Sequence, residues 1–200
     1  MLSLIVERRT AAELGEPVAI EPATDDLSFF PLIYWPVTGR HANPSQSAVL
    51  QLNEYLRSGG TILFDTRDHQ NGREAETMRR LALVLDIPPV QPVPSNHVLT
   101  RSFYLMREFP GRITGGRIWI ERAGARINDG VSSVVVGNHD WAAAWAVDGS
   151  QQPLFPVIPG GERQRELAFR FGINLVMYVL TGNYKSDQVH APAILERLGQ

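Results

Sequence analysis

Between residues 27 and 69 apolar runs flank one amphipathic stretch, in the order LSFFPLIYWPV, NPSQSAVLQLNEYLRSGG and TILFDTRDH, a pattern that predicts strand, helix, strand. Ala48, Val49, Leu52, Tyr55 and Leu56 recur at helical spacing and form a stripe that must lie on a sheet. Asn43 is the expected N-cap, with Pro44 in the first turn, Gln46 as its capping-box partner and Gly59 as the left-handed stop. A strand–helix–strand crossover is almost always right-handed and parallel, so Val37 and Asp65 are expected near the carboxyl edge of one sheet. Open parallel sheets bind ligands at that edge.

The flanking pattern extends this α/β reading. MLSLIVERRT fits an edge strand or a helix, and the spacing of Leu2, Ile5 and Val6 favours helix. A helical start leaves a doubly wound sheet without its first strand, as in a carboxyl-terminal fragment of a longer protein. Asn71 and Glu74 predict a capping box for a helix carrying Ala75, Met78, Leu81, Ala82 and Leu85, stopped by Pro88 and Pro89. The proline-studded excursion after it, with Val98, Leu99, Phe103, Tyr104 and Leu105, is expected to pack over a sheet end. ITGGRIWIE and VSSVVVGN read as strands, the second buried on both faces, and AAAWAVD as a further strand. ERQRELAFRFGINLVMYVLTGN is the longest helix, closed by Gly182 or Asn183, with APAILERLG as a docked tail. The expected architecture is a central, mainly parallel sheet with helices on both sides, Phe64 and Val135 buried and Asp65 at the carboxyl edge.

Two features predict self-association, most simply as a homodimer. A missing strand leaves backbone groups unpaired. The long helix also offers Leu167, Phe169, Phe171, Ile173, Leu175, Val176, Met177, Tyr178, Val179 and Leu180, more apolar surface than one sheet face covers. The alternative is that this helix is central, held between the sheet and the excursion.

Composition narrows the function classes. Two hundred residues with 44% hydrophobic content suit one domain with its own core. A net charge of −2 with interspersed signs argues against nucleic acid as a partner. No cysteine is present, which removes disulfides, thiolate metal sites and a thiol nucleophile. The uncharged runs, among them residues 171–184 and 27–39, fall short of the roughly 20 residues needed to cross a bilayer, and no signal peptide is visible. No cofactor-binding motif is found, because the paired glycines at 59–60, 115–116 and 160–161 lack the strand–loop–helix context of a phosphate loop and read as turns.

Candidate chemistry gathers at two strand ends. Asp65, Thr66, Arg67, Asp68 and His69 follow TILF and could bind a polar ligand or cation, or exchange protons; equally they form a solvated loop with Asp and Arg paired. Asn138, His139, Asp140 and Trp141 follow VSSVVVG and by the same logic face the same crevice, although Gly137-Asn138 is also ordinary turn chemistry. Trp35, with Tyr34, could wall a pocket or simply pack. Arg101 and Tyr104, three residues apart, would present an anion-binding arginine beside a phenol on one helical face. His41 and His190 have no ligand-spaced partner.

LSFFPLIYWPV, YLRSGGTILFDTRD, NHDWAAAWAVD and RFGINLVMYVLTGNYKSDQVHAPAILERL together resemble the uncharacterised carboxyl-terminal domain, family four-one-five-nine, of large membrane-anchored bacterial proteins that carry a double-transmembrane aerotolerance-type segment at the amino terminus. The resemblance covers nearly the whole chain. It implies a flavodoxin-like, class I glutamine amidotransferase-like three-layer sandwich, one domain over residues 1–200, and no established reaction. Amidotransferase chemistry resembles acyl transfer from a cysteine with a histidine partner, and here Asp65 or Thr66 occupies the comparable strand end. The preferred expectation is therefore a non-catalytic domain of a cell-envelope protein that binds a small molecule or a protein. The alternative is a metal-assisted hydrolase in which Asp65, Asp68, His69, His139 or Asp140 hold a divalent cation.

Overall fold

The computed structural model describes residues 1–40, 42–67, 73–122 and 131–182. Its centre is a five-stranded open sheet of β1 (Leu32–Pro36), β2 (Thr61–Asp65), β3 (Val90–Pro92), β4 (Trp119–Glu121) and β5 (Val134–Gly137), in the spatial order β1-β2-β5-β4-β3. β1, β2 and β5 run parallel, with Trp35 opposite Phe64 and Asp65 opposite Gly137. β4 is antiparallel to both β5 and β3, so the expectation of a mainly parallel sheet holds for the half that bears Asp65 and gives way to a mixed sheet beyond β5. The physical reason is connection length: β3 and β4 are three-residue strands in irregular chain, with no crossover helix between them to enforce parallel pairing.

Helix α2 (Gln46–Arg57) joins β1 to β2 and buries Ala48, Leu52, Tyr55 and Leu56, with Val49 partly buried beside them. Its N-cap is Ser45, which accepts the Ala48 N–H, so the expected Asn43 capping box is not formed. Gly59, at φ +103°, supplies the left-handed stop. Helix α3 (Arg73–Val84) follows β2; Asn71 lies outside the described residues. Leu52 and Leu56 of α2 and Leu81 of α3 join Ile62, Phe64 and Val134 in one core cluster. Leu63, Val135 and Ile120 point the other way, into a second cluster with Trp141, Phe171, Leu175 and Tyr178. This alternation is the period of two that a sheet buried on both faces requires.

The second face belongs to the long helix, described below as α5 (Glu162–Thr181), and to α4 (Trp141–Trp145), a five-residue helix where AAAWAVD had predicted a strand. Helix α1 (Leu2–Arg9) is present as expected and lies on α5, with Val6 packed against Ile173 and Val176. Arg9 adds a two-pronged ion pair to Glu166, at 2.8 and 2.9 Å, which raises the guanidinium pKa and lowers that of the carboxyl. Between them the sheet, α1 and α4 cover Phe171, Ile173, Leu175, Val176 and Tyr178, leaving Leu180 as the exposed large residue of the helix. These five of the ten apolar residues named for this helix are thus covered within the chain, while Leu167, Met177 and Val179 are partly exposed.

The excursion after β3 packs on the α5 side. Leu99 and Met106 enter the second cluster, and Asn174, buried in mid-helix, accepts from the Tyr104 N–H at 2.7 Å while donating to the carbonyls of Leu99 and Tyr104. Every polar atom of this buried amide is occupied, which the low dielectric of a core demands. The tail after residue 182 lies outside the described residues.

Candidate functional site

β2 and β5 are neighbours whose chains leave toward opposite faces of the sheet, β2 into α3 and β5 into α4 and α5. Such a divergence opens a crevice at the carboxyl edge. Asp65 stands there, fully buried, and its two oxygens accept four hydrogen bonds: from the Arg67 N–H (3.2 Å), the Asp140 N–H (3.1 Å), the Trp141 N–H (2.7 Å) and the Tyr34 hydroxyl (2.9 Å). The carboxylate thereby receives the first N–H groups of α4, whose own N-cap residue, Asp140, makes no side-chain cap. Burial pushes the Asp65 carboxyl above its ordinary value, opposed by these four donors. Burial, and then the Asp65 charge, push the Tyr34 phenol up, so it remains a donor. Its oxygen in turn accepts the Ala142 N–H at 3.3 Å.

Asp140 is the second buried carboxylate. It sits at φ +53° and receives two guanidiniums, Arg67 Nε at 2.9 Å on one oxygen and Arg112 Nε at 2.5 Å on the other. Arg67, at φ +56°, is left-handed as well. Arg112 had no signal in the sequence. It arrives from irregular chain that runs beside residues 139–140, with the Arg112 N–H on the Asp140 carbonyl and the Ile113 N–H on that of His139. Gln164 of α5 fixes it, donating to the carbonyls of Gly111, Arg112 and Ile158. Tyr34, Pro36, Arg67, Arg112, Asp140, Ala142, Ala143, Ala146 and Phe155 line a cavity of about 550 Å³ over this network.

The two loops do not face one crevice throughout. Asp65, Arg67 and Asp140 meet as expected, but the next residue back, His139, is turned to the other side of β5. Its ring stacks on Trp141 at 4.5 Å, and Trp141 stacks on Phe171 at 4.4 Å. His139 lines a separate cavity of about 740 Å³ with Val93, Met106, Phe109 and Gly116. Trp141 is buried core, and Asn138 precedes this stack at the end of β5. The Thr66 hydroxyl donates to the Gly137 carbonyl and ties β2 to β5. Asp68 and His69 lie outside the described residues.

Trp35 packs against Phe64 on the α2 face and lines a third cavity with Ile20, Asn43 and Pro44, which Asp65 does not line. The shared helical face expected for Arg101 and Tyr104 is not formed. The only helical turn there is the 3₁₀ turn Val98–Thr100; Arg101 is exposed, and Tyr104 lies beneath Arg170 with the guanidinium 4.9 Å from its ring.

Asp65 and Asp140 are not free donors for a divalent cation. All four oxygens of Asp65 and Asp140 already accept from N–H, O–H or guanidinium groups, and among the described residues no cluster of three His, Asp or Glu side chains could hold a metal.

Fold and site together define a mixed α/β domain with a carboxylate–arginine crevice at the parallel half of its sheet. The chain belongs to the family described as a domain of unknown function (DUF4159), whose family model matches residues 1–180. No curated protein matches the sequence.

Proposed function

We propose that this chain is a non-catalytic ligand-binding domain, built on a flavodoxin-like, class I glutamine amidotransferase-like scaffold, that serves a membrane-anchored bacterial cell-envelope protein. The parallel β1-β2-β5 unit with helices on both sides supports the scaffold. The envelope setting rests on the resemblance of the sequence to such proteins; among the described residues no helix is long and apolar enough to cross a membrane itself. The observation that carries the binding reading is the saturation of Asp65. On this type of scaffold the end of the second parallel strand is where a nucleophile or base would stand, and here that group is consumed in holding α4 and the loop after β2. The Thr66 hydroxyl donates to the Gly137 carbonyl, and among the described residues no base accepts from it. What remains open is a cavity of ligand size, walled by a phenol, two arginines and the apolar side of α4.

A fragment screen by ¹⁵N–¹H correlation spectra tests this. Ligands are expected to shift Ala142, Ala143 and Arg112 together, and to lose that effect in Ala142→Trp, which fills the cavity from an exposed position. A hydrolase activity of the purified chain, abolished in an Asp65→Asn variant that remains folded at the assay temperature, would replace binding by catalysis.

A further inference from the structure

We infer that the crevice receives its ligand through an oxyanion, a carboxylate or phosphate group, held by the outer nitrogens of Arg67 and Arg112. This rests on the ligand-binding reading and names the chemistry of the ligand.

Arginine usually meets a carboxylate with two parallel N–H bonds. Arg9 does so with Glu166, using both terminal nitrogens. At Asp140 the arrangement differs. The single carboxylate is divided between two arginines, and each gives only its Nε. The terminal nitrogens of Arg67 and Arg112 make no hydrogen bond to any described residue, and both side chains line the 550 Å³ cavity. Asp140, with its side chain 4% exposed, thus works as a bracket that orients two guanidiniums while neutralising one of them. The terminal nitrogens of both guanidiniums therefore stay available at the mouth.

Asp65 brings this cluster of two arginines and two carboxylates to formal neutrality, but it is fully buried and does not line the cavity. That carboxylate is met by backbone N–H groups at the start of α4 and by Tyr34, and makes no bond to either guanidinium. The cavity therefore pairs a mouth lined by two guanidiniums with an apolar wall of Ala142, Ala143, Ala146 and Phe155. An oxyanion head on a small apolar body fits both parts. Holding Arg67 and Asp140 at positive φ is costly for side-chain-bearing residues, and such conformations gather at ligand clamps.

The test uses the whole chain and three probes at fixed ionic strength: benzoate, inorganic phosphate and benzyl alcohol, the last matching the body of benzoate without its charge. Benzoate and phosphate are expected to shift the Arg67 and Arg112 Nε–H resonances saturably, and benzoate to shift Ala142 as well. Arg67→Gln and Arg112→Gln should each weaken binding about tenfold, the worth of one charge-assisted hydrogen bond. Ala142→Glu places a negative charge at the same mouth from an exposed position, so it keeps the test valid if an arginine variant unfolds. Benzyl alcohol binding as well as benzoate would overturn the oxyanion assignment while leaving a ligand-binding crevice intact. Failure of both anions to shift these arginines would also overturn it, and the charge-independent fragment screen then judges the broader reading separately.

Discussion

Arg67 and Asp140 are 73 residues apart in the chain, both in left-handed backbone conformation, and joined by an Nε–Oδ1 hydrogen bond of 2.9 Å. The pair closes the end of β2 onto the loop after β5. Asp enters this region more readily than most residues, but the Asp140 side chain is spent on two distant arginines, and Arg67 carries a long side chain there as well.

The two contributions at Arg67 can be separated by substitution. Arg67→Ala keeps the strained backbone and loses the ion pair; Arg67→Gly loses the pair but removes the strain. The pair is partly exposed and is worth about 1 kcal/mol or less. Urea denaturation is expected to find the Gly variant more stable than the Ala variant by about 1 kcal/mol, the cost of a left-handed side-chain-bearing residue. Equal stabilities would mean the backbone is not strained.

Removal of the Asp65 carboxylate leaves three backbone N–H groups and one hydroxyl without their acceptor. Asp65→Ala is expected to cost at least about 3 kcal/mol in denaturation experiments, with Asp65→Asn losing less because one acceptor oxygen survives. The pH dependence has a definite sign. A folded pKa above the ordinary 3.8 means the folded state holds the proton more tightly than the unfolded one. The advantage is complete below 3.8 and is lost as pH rises through the raised value, so the stability of wild type relative to Asp65→Asn should fall across that window.

His97 acts in the opposite sense. Its Nδ1 accepts the Leu99 N–H at 3.3 Å and its ring meets the edge of Tyr178, a setting for the neutral imidazole; burial lowers its pKa to about 4. Between pH 4 and 6.5 the unfolded state binds the extra proton, so stability rises with pH in that window, by on the order of 2–3 kcal/mol. Replacement by Gln should flatten the slope; an unchanged slope would place the effect elsewhere.

Gly137 is the last residue of β5, and a Cβ there would run into the indole of Trp141. Gly137→Ala is expected to destabilise by about 1–3 kcal/mol through displaced packing. Because Trp141 also donates its N–H to Asp65, the variant should shift the Tyr34 and Arg67 resonances as well.

The parts of the fold visible in the sequence are those whose signals are local. The α2 stripe from Ala48 to Leu56 and the β-branched run at Val134 state their own environment, and parallel pairing of β2 with β5 followed from them. AAAWAVD reads as a strand because its helical turn is held from outside: its first N–H groups are accepted by Asp65, 75 and 76 residues earlier. Arg112 escaped for the same reason, since irregular chain has no period and only Gln164 and the 139–140 backbone bring it to Asp140. The misplaced cap of α2 is a contest between two good capping residues, Asn43 and Ser45, that nearby residues alone do not decide. At the site itself, residue types at the strand ends predicted Asp65, Arg67 and Asp140 together. The direction in which His139 turns was set by stacking on Trp141 and Phe171, which no local pattern records.

The border of the sheet has a consequence for handling the protein. β1 starts directly after Pro31 and ends at Pro36, and a proline cannot donate a backbone hydrogen bond. Of the four amides between them, alternate ones are engaged with β2, so the outward side offers too short a row for another chain to template on. Filament growth by strand addition at this border is therefore discouraged by the backbone itself, and contacts made there in concentrated solution should run through side chains rather than amyloid-like stacking.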